Sequence, residues 1–402
     1  MKKAVILGLG VSGKAAARLL SQCGYDLYGI DSKVTSIEEP VTVVSSAQGL
    51  NFDLAVVSPG IPPSDPDYRQ LMNTGIELIG EAELGCRHLR SKAVAITGTN
   101  GKTTVTSLVA HVMRAMGRPA EAIGNIGLPI CDFVLQADHH QKIALVELSS
   151  YQLETLETRA FSAGALLNIT PDHLDRYPSF EAYASAKWHL EKCLKQNSPF
   201  YVDRETYDKW APILGEVDAE LFSGQNHLEK NFTAAEKLCS SLGIDGDDFY
   251  KHAATFKTLQ HRIELVEIID EVQWIDDSKG TNVDAVIQAV KIVPAPIVLI
   301  AGGVDKGSSY LPWIQGFNEK VHHICAIGEA ASKIYNEIND TIPVTIYDTM
   351  EQAVAAAADY AIAGGAVLLS PGCSSFDMFR DYHHRGEMFK AFVREYKERC
   401  TR

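Results

Sequence analysis

Seven consecutive residues, Gly98-Thr99-Asn100-Gly101-Lys102-Thr103-Thr104, combine two glycines, a lysine and a run of hydroxyls. Glycines let backbone N–H groups converge on an anion, lysine adds a full positive charge, and the hydroxyl of Thr103 suits a Mg²⁺ ion. The chemistry is polyphosphate binding. The general phosphate-loop pattern puts four residues between its first glycine and the Gly-Lys pair; here only Thr99 and Asn100 intervene. Such a loop works only between a strand and a helix. Ala93–Thr97 is apolar and β-branched, as a buried parallel strand is, and apolar residues at 105, 108, 109 and 112 follow helical spacing. The helix N-terminus then faces the phosphates and favours their charge.

A second glycine turn, Gly8-Leu9-Gly10-Val11-Ser12-Gly13, lies between a predicted strand over 2–8 and a helix reaching Cys23. The next strand, 27–30, ends at Asp31, so the acidic residue sits where a dinucleotide fold contacts a ribose. Alone, this pattern suits any nucleotide diphosphate, NAD included. A third strand, 53–57, runs into the rigid turn Ser58-Pro59-Gly60, at the strand end where open α/β sheets bind ligands. Two further predicted strand ends carry candidate ligands: Glu147 after 143–146, and Asp172-His173 after 165–169. Lys187 falls on a predicted helix over 180–194, where by itself it reads as a solvated lysine. His227 and Asn231 open another helix, and a helix over 249–259 leads out of this region.

In the last third, strands at 263–269, 272–275, 297–301, 323–327, 344–347 and 366–370 alternate with helices at 283–293, 311–320, 329–338 and 350–363. Alternation of this kind predicts a parallel α/β sheet. The polar loops 276–282, 302–307 and 370–376 each follow a strand and should share the sheet's ligand edge. The whole chain is therefore expected to be α/β with three domains: a Rossmann-like domain over 1–91, a central phosphate-loop domain over 92–258, and a second Rossmann-like domain over 259–402.

With 402 residues, 46% hydrophobic and 22% charged, the composition is that of a globular enzyme. The net charge of −14 argues against nucleic acid as a partner. The eight cysteines form no Cys-x-x-Cys and read as reduced thiols, and no apolar run approaches a membrane span.

The loop 98–104 together with His261-Arg262 resembles the Mur ligases and their relative folylpolyglutamate synthetase, which are three-domain, ATP-dependent, amide-forming ligases. The complete nucleotide-binding domain ahead of the phosphate loop favours the Mur ligases. The segments 8–13, 146–154, 277–282 and 370–377 are most similar to the family member that adds D-glutamate to UDP-N-acetylmuramoyl-L-alanine, and the resemblance spans the whole chain. It implies a monomeric cytoplasmic enzyme. Val11, Ser12, Asp31, Ser32, Lys33 and Gly60 would hold the UDP group, and Asn125 and His173 would reach the sugar side. Gly98 to Thr104, Asn231, Arg262 and Asp277 would bind ATP; Thr103, Glu147, His173 and Lys187 would serve Mg²⁺, with Lys187 matching a lysine that is carbamylated in the family. Lys102, Lys187 and His173 would be the catalytic residues, and Lys279, Thr281, Lys306, Ser375, Phe376 and Tyr382 would form the D-glutamate pocket. Leu228 stands where the family usually has asparagine. A competing reading, a nicotinamide-dependent oxidoreductase built on 8–13, leaves 98–104 and the last third unexplained.

Overall fold

A computed structural model describes residues 2–257 and 259–400. The chain is mixed α/β, organised around three sheets. The first is parallel and runs in the order Val41–Val43, Asp26–Ile30, Lys3–Leu7, Leu54–Val57, Glu77–Gly80. The second, also parallel, runs Glu220–Phe222, Phe200–Asp203, Gly164–Leu166, Ala93–Thr97, Ile143–Glu147, Ala120–Gly124. The third runs Glu264–Ile269, Val272–Asp276, Ala366–Leu369, Ile297–Gly302, Val321–Ile327, Val344–Tyr347, with only its first pair antiparallel.

Parallel strands need crossovers, and the crossover helices cover the sheet faces. The central strands are accordingly buried along their length: all five residues of Ala93–Thr97 and all six of Ile297–Gly302 are buried. Helix Lys102–Ala115 closes one face of the second sheet with Val105, Leu108, Val109 and Val112, the positions at helical spacing. Side-chain caps start several helices; Asn282 accepts from the amide of Ala285 and begins Val283–Ile292.

The elements absent from the sequence expectation are mostly short, polar or at sheet edges. Val41–Val43 has no fully buried residue, and Glu220–Phe222 has only one. Helix Tyr382–Cys400 was also not expected. Three expected helices change extent markedly. The one predicted over 311–320 is only Pro312–Gly316. The one predicted over 249–259 is Gly246–Ala253, because Asp245 caps it three residues earlier by accepting from Asp248. The one predicted over 180–194 is helical only for Phe180–Trp188, followed by a tighter turn, His189–Cys193, whose His189 ring and Cys193 thiol both bond the Leu156 carbonyl.

The chain separates into two compact units. One comprises residues to Ile169 with Glu181–Phe256, and so contains the first two sheets. The other comprises Thr170–Phe180 with the chain from Lys257 onward. The boundary expected at Thr258 lies outside the described residues. Within the first unit the two sheets are tied by buried polar contacts. The amide of Cys131 donates to Glu81 Oε1 at 2.7 Å, and Glu83 accepts from the amides of Glu157 and Thr158. Arg18 makes a two-pronged contact with Asp132.

Candidate active site

The first unit contains a cleft of about 630 Å³. Val11, Ser12, Asp31, Ser32, Lys33 and Gly60 line it, and so does Asn125 from the loop after Ala120–Gly124. Thus residues more than a hundred positions apart share one wall. Helix Val11–Gln22 can begin this close to the first strand because Gly13 has no side chain; a Cβ there would run into the Gly8 carbonyl. Asp31 accepts from the amides of Leu9 and Lys33, at 2.8 Å each. Its carboxylate therefore holds the glycine turn as well as facing the cleft. Gln152 also lines the cleft and went unpredicted; it lies in a capping box with Ser149, a local signature legible in the sequence.

Above the second sheet, Gly98–Thr104 leaves strand Ala93–Thr97 and enters helix Lys102–Ala115. Gly101 has φ +86°, and a Cβ there would overlap Asn231 Oδ1. Glycine is thus required, and Asn231 is buried directly against the loop. Asn168 clamps the same loop through both ends of its amide, accepting from the Asn100 amide and donating to the Asn100 carbonyl. The Thr99 hydroxyl meets Tyr183 at 3.0 Å. Neither Asn168 nor Tyr183 belongs to the glycine motif, which is why the sequence did not mark them.

Lys102 Nζ donates to the carbonyls of Gly98 and Thr99, at 2.7 and 2.9 Å. Lys187 Nζ donates to the same Gly98 carbonyl at 2.9 Å. Both lysine nitrogens thus sit on one oxygen at the N-terminal end of a helix, where anions are favoured. Lys187 is 2% exposed, so the solvated-lysine expectation is overturned. It lies in the last turn of Phe180–Trp188, on the side that faces the loop. Glu147 ends a strand whose register partner is Ile96, two residues before Gly98. Its Oε1 accepts from Asn125 at 2.8 Å, while Oε2 is buried with no partner among the described residues. A buried carboxylate oxygen without a donor fits a divalent cation.

In the second unit, the expected convergence of three loops is observed. The strands Val272–Asp276, Ala366–Leu369 and Ile297–Gly302 are adjacent and parallel, so their carboxyl ends share one edge. Backbone bonds join the loops: Asp277 N to Leu369 O, Gly302 N to Pro371 O, and Gly372 N to Gly280 O. Asp277 is buried, and burial pushes its carboxyl up to about 7 despite the Ser370 hydroxyl bonded at 2.7 Å and the charge of Arg262. Lys279 Nζ lies 4.9 Å from the centre of the Tyr382 ring, and Ser375 is buried. Thr281 and Tyr382 are half-buried, whereas Phe376 is 73% exposed. Lys306 Nζ pairs with Asp172 Oδ1 at 3.1 Å. His173, in the adjacent position, has φ +56° and its Nε2 is 3.5 Å from Asp172 Oδ2.

Arg385 is the residue on this edge that sequence reasoning missed. It is 1% exposed and joins two loops, donating to Ser278 Oγ, the Ser278 carbonyl and the Cys373 carbonyl. Burial lowers its guanidinium to about 10. Behind it His261 and Asp276 form a buried pair at 2.6 Å. With Glu264 they resemble a metal-ligand group, but Lys390 Nζ lies 2.9 Å from both Glu264 oxygens and supplies the cation.

The chain matches two family models, the Mur ligase middle domain over residues 96–246 and the Mur ligase glutamate ligase domain over 261–373. It is 41% identical to the UDP-N-acetylmuramoylalanine–D-glutamate ligase of Protochlamydia amoebophila, with 98% of each chain covered. It is 34% identical to the protein of the same description from Chlamydia pneumoniae, again over 98% of each. Among solved structures it resembles UDP-N-acetylmuramate-alanine ligase MurC of Thermotoga maritima, with TM-score 0.60, 17% identity, and 99% and 100% coverage. It also resembles a Thermotoga maritima MurF ligase in complex with ADP, with TM-score 0.61, 15% identity, and 98% and 96% coverage. At these identities the structural likeness concerns the fold.

Proposed function

The chain belongs to the Mur ligase family, and on that premise we propose that it is an ATP-dependent ligase joining D-glutamate to UDP-N-acetylmuramoyl-L-alanine, a step in building peptidoglycan precursors. The observation that carries the reading is its 41% identity, over nearly its full length, to a ligase of that description, combined with a phosphate loop that carries Lys102 and has Lys187 buried against it. The proposal includes a monomer acting in the cytoplasm, where ATP and UDP-linked intermediates are available. No described helix is long and apolar enough to cross a membrane.

A division of labour belongs to the same proposal. Residues 1–91 would hold the UDP end of the substrate, 92–258 would bind ATP, and 259–402 would receive the amino acid. Supporting it are the cleft lined by Val11, Ser12, Asp31, Ser32, Lys33, Gly60 and Asn125, and the polar edge that gathers Lys279, Thr281, Lys306 and Ser375. Asn231 lies against the ATP loop, consistent with a nucleotide contact, and Arg262 and Asp277 would complete it.

The reaction needs a leaving group on the substrate carboxylate. That carboxylate attacks the γ-phosphate, ADP departs, and an acyl phosphate forms. Both reactants are anionic, so Lys102 and the loop amides lower the repulsion by binding the transferred phosphate. Thr103, Glu147, His173 and a carbamylated Lys187 are the residues that would hold magnesium. Bound there, magnesium would neutralise phosphate charge. The ammonium of D-glutamate gives up a proton, the neutral amine attacks the acyl carbon, and the tetrahedral intermediate expels phosphate, the nitrogen's second proton leaving to the phosphate or to water. Water must be kept from the acyl phosphate during this interval. Lys306, with the hydroxyls of Thr281 and Ser375, supplies the charge and donors that the amino-acid carboxylates require.

The test is phosphate release measured with ATP, UDP-N-acetylmuramoyl-L-alanine and a panel of amino acids. Release that depends on D-glutamate is expected. Equal turnover with L-alanine or L-glutamate, or no turnover with any of them, defeats the assignment.

A further inference from the structure

Resting on the reading of the second unit's sheet edge as the amino-acid site, we infer that Asp172 is a substrate-recognition residue that takes the α-ammonium of the incoming amino acid while Lys306 takes a carboxylate. The two side chains form an ion pair at 3.1 Å, and they are 7% and 12% exposed. They come from distant parts of the sequence. Asp172 lies in Thr170–Phe180, a segment that belongs to the same compact unit as the chain from Lys257 onward. A Cβ on Gly307 would sit 3.3 Å from the Asp175 amide, so this segment lies directly along the 302–307 loop.

Several donors face Asp172. Oδ1 accepts from Lys306 Nζ and from the amide of His173 at 3.0 Å. Oδ2 accepts from Asn282 Nδ2 at 3.4 Å, and the His173 ring is beside it. Asn282 is itself fixed, because its oxygen caps helix Val283–Ile292. The carboxylate is therefore held in place by groups other than the lysine.

A nearly buried ion pair contributes little net stability, since desolvation consumes most of the attraction. Its placement on a ligand edge makes better sense as a charge pattern. An α-amino acid carries its ammonium and carboxylate one carbon apart, about one hydrogen-bond length between charges. Lys306 and Asp172 present the opposite charges at that spacing. A dicarboxylate without an amine would draw Lys306 away and leave Asp172 with an unmatched negative charge in a poorly hydrated place. An amino acid brings the replacement cation with it. The pair thus selects an amine-bearing dicarboxylate over a bare one, before any chemistry occurs. No bond is made or broken in this step.

The experiment compares D-glutamate with glutarate, which keeps both carboxylates and lacks the amine. D-Glutamate-dependent phosphate release by the unmodified enzyme is measured first; its absence defeats the assigned activity, independently of Asp172. Given that activity, Asp172→Asn is expected to raise the KM for D-glutamate roughly a hundredfold, with the KM values for ATP and the UDP substrate little changed. Inhibition by glutarate should stay the same or tighten, because the repelling charge is gone. Hydroxylamine trapping of the acyl phosphate without D-glutamate shows that the variant is folded and completes the first half-reaction. Asp172→Glu keeps the charge and should keep the preference for the amine-bearing ligand. Parallel weakening of glutarate and D-glutamate in Asp172→Asn would mean that Asp172 only props Lys306, and the inference would fall. An unchanged KM for D-glutamate, or loss of the amine preference in Asp172→Glu, would overturn it equally.

Discussion

Around Gly98–Thr104 the charged side chains are held by the loop's own backbone: Lys102 and Lys187 both donate to the Gly98 carbonyl. On the edge formed by 277–282, 302–307 and 370–376 no single stretch of sequence sits at the centre. There the charges are held by partners far away in sequence, Lys306 by Asp172 and the two loops by Arg385. The first region has a contiguous motif at its centre, to which folding adds Lys187 and Asn168; the second has no such motif and is assembled from distant segments throughout. A phosphate loop binds a ligand common to countless proteins and can be made of one contiguous stretch. A pocket for one amino acid must match its charges, and that takes groups from several segments.

The largest effects should come from the phosphate loop, where one residue stands for the whole. Lys102→Ala is expected to lower ATP turnover by about 10²–10³-fold or more, while calorimetry shows the UDP substrate still binding, because that ligand's cleft is lined by other residues. Equal loss of both ligands in a folded variant would erase the contrast between them.

Lys187→Ala should be inactive in the same assay, and short carboxylates added to the buffer should restore part of the rate. The alanine side chain leaves room beside the loop, and a diffusing carboxylate can supply the oxygen ligand a carbamate would have provided. Full activity of the variant in bicarbonate-free buffer would rule out that role.

In the assembled region the loss should be selective for one substrate. Lys306→Ala is expected to raise the KM for D-glutamate by about two orders of magnitude, with acyl-phosphate formation much less affected. A rise in the KM for ATP with none for D-glutamate would move Lys306 to the nucleotide side.

Arg385→Ala tests whether this region depends on its distant ties. The substitution leaves the Ser278 and Cys373 carbonyls without their donor in a buried place. Urea unfolding followed by fluorescence, with Trp188 and Trp210 of the other unit replaced by phenylalanine so that Trp274 and Trp313 report, should show a loss of roughly 2–3 kcal/mol. No change in midpoint would show that the backbone bonds among the loops suffice.

The smallest expected effect concerns pH. Burial raises the carboxyl of Glu81 to about 7, above its ordinary 4.5. The folded chain therefore holds a proton there that the unfolded chain releases, so this contribution is full below about pH 4.5 and is lost as pH rises through about 7. Asp277 acts in the same direction from the other region. Glu81→Gln keeps an oxygen for the Cys131 amide, and should flatten the fall in stability between about pH 5 and 8 by ~1–3 kcal/mol. A variant whose midpoint follows pH as steeply as the unmodified protein would assign that dependence elsewhere.

What the sequence determined by itself was whatever is carried by neighbours in the chain. The glycine turns, the strand before Gly98 and the helix after it, and the three strand-end loops depend on local spacing and on apolar runs long enough to demand burial on both faces. Short edge strands such as Val41–Val43 lacked that signal, because a strand with one neighbour and an exposed face needs no apolar run. Tertiary structure alone decided that Lys187 is buried on Gly98, that Asn168 clamps the same loop, and that Arg385 ties Ser278 to Cys373. It also decided that Asp172 meets Lys306 across more than a hundred residues of chain. A lysine or aspartate carries no local mark of its partner. Which charge it meets is set only when parallel strands bring their carboxyl ends to one edge, and desolvation there makes each pairing matter.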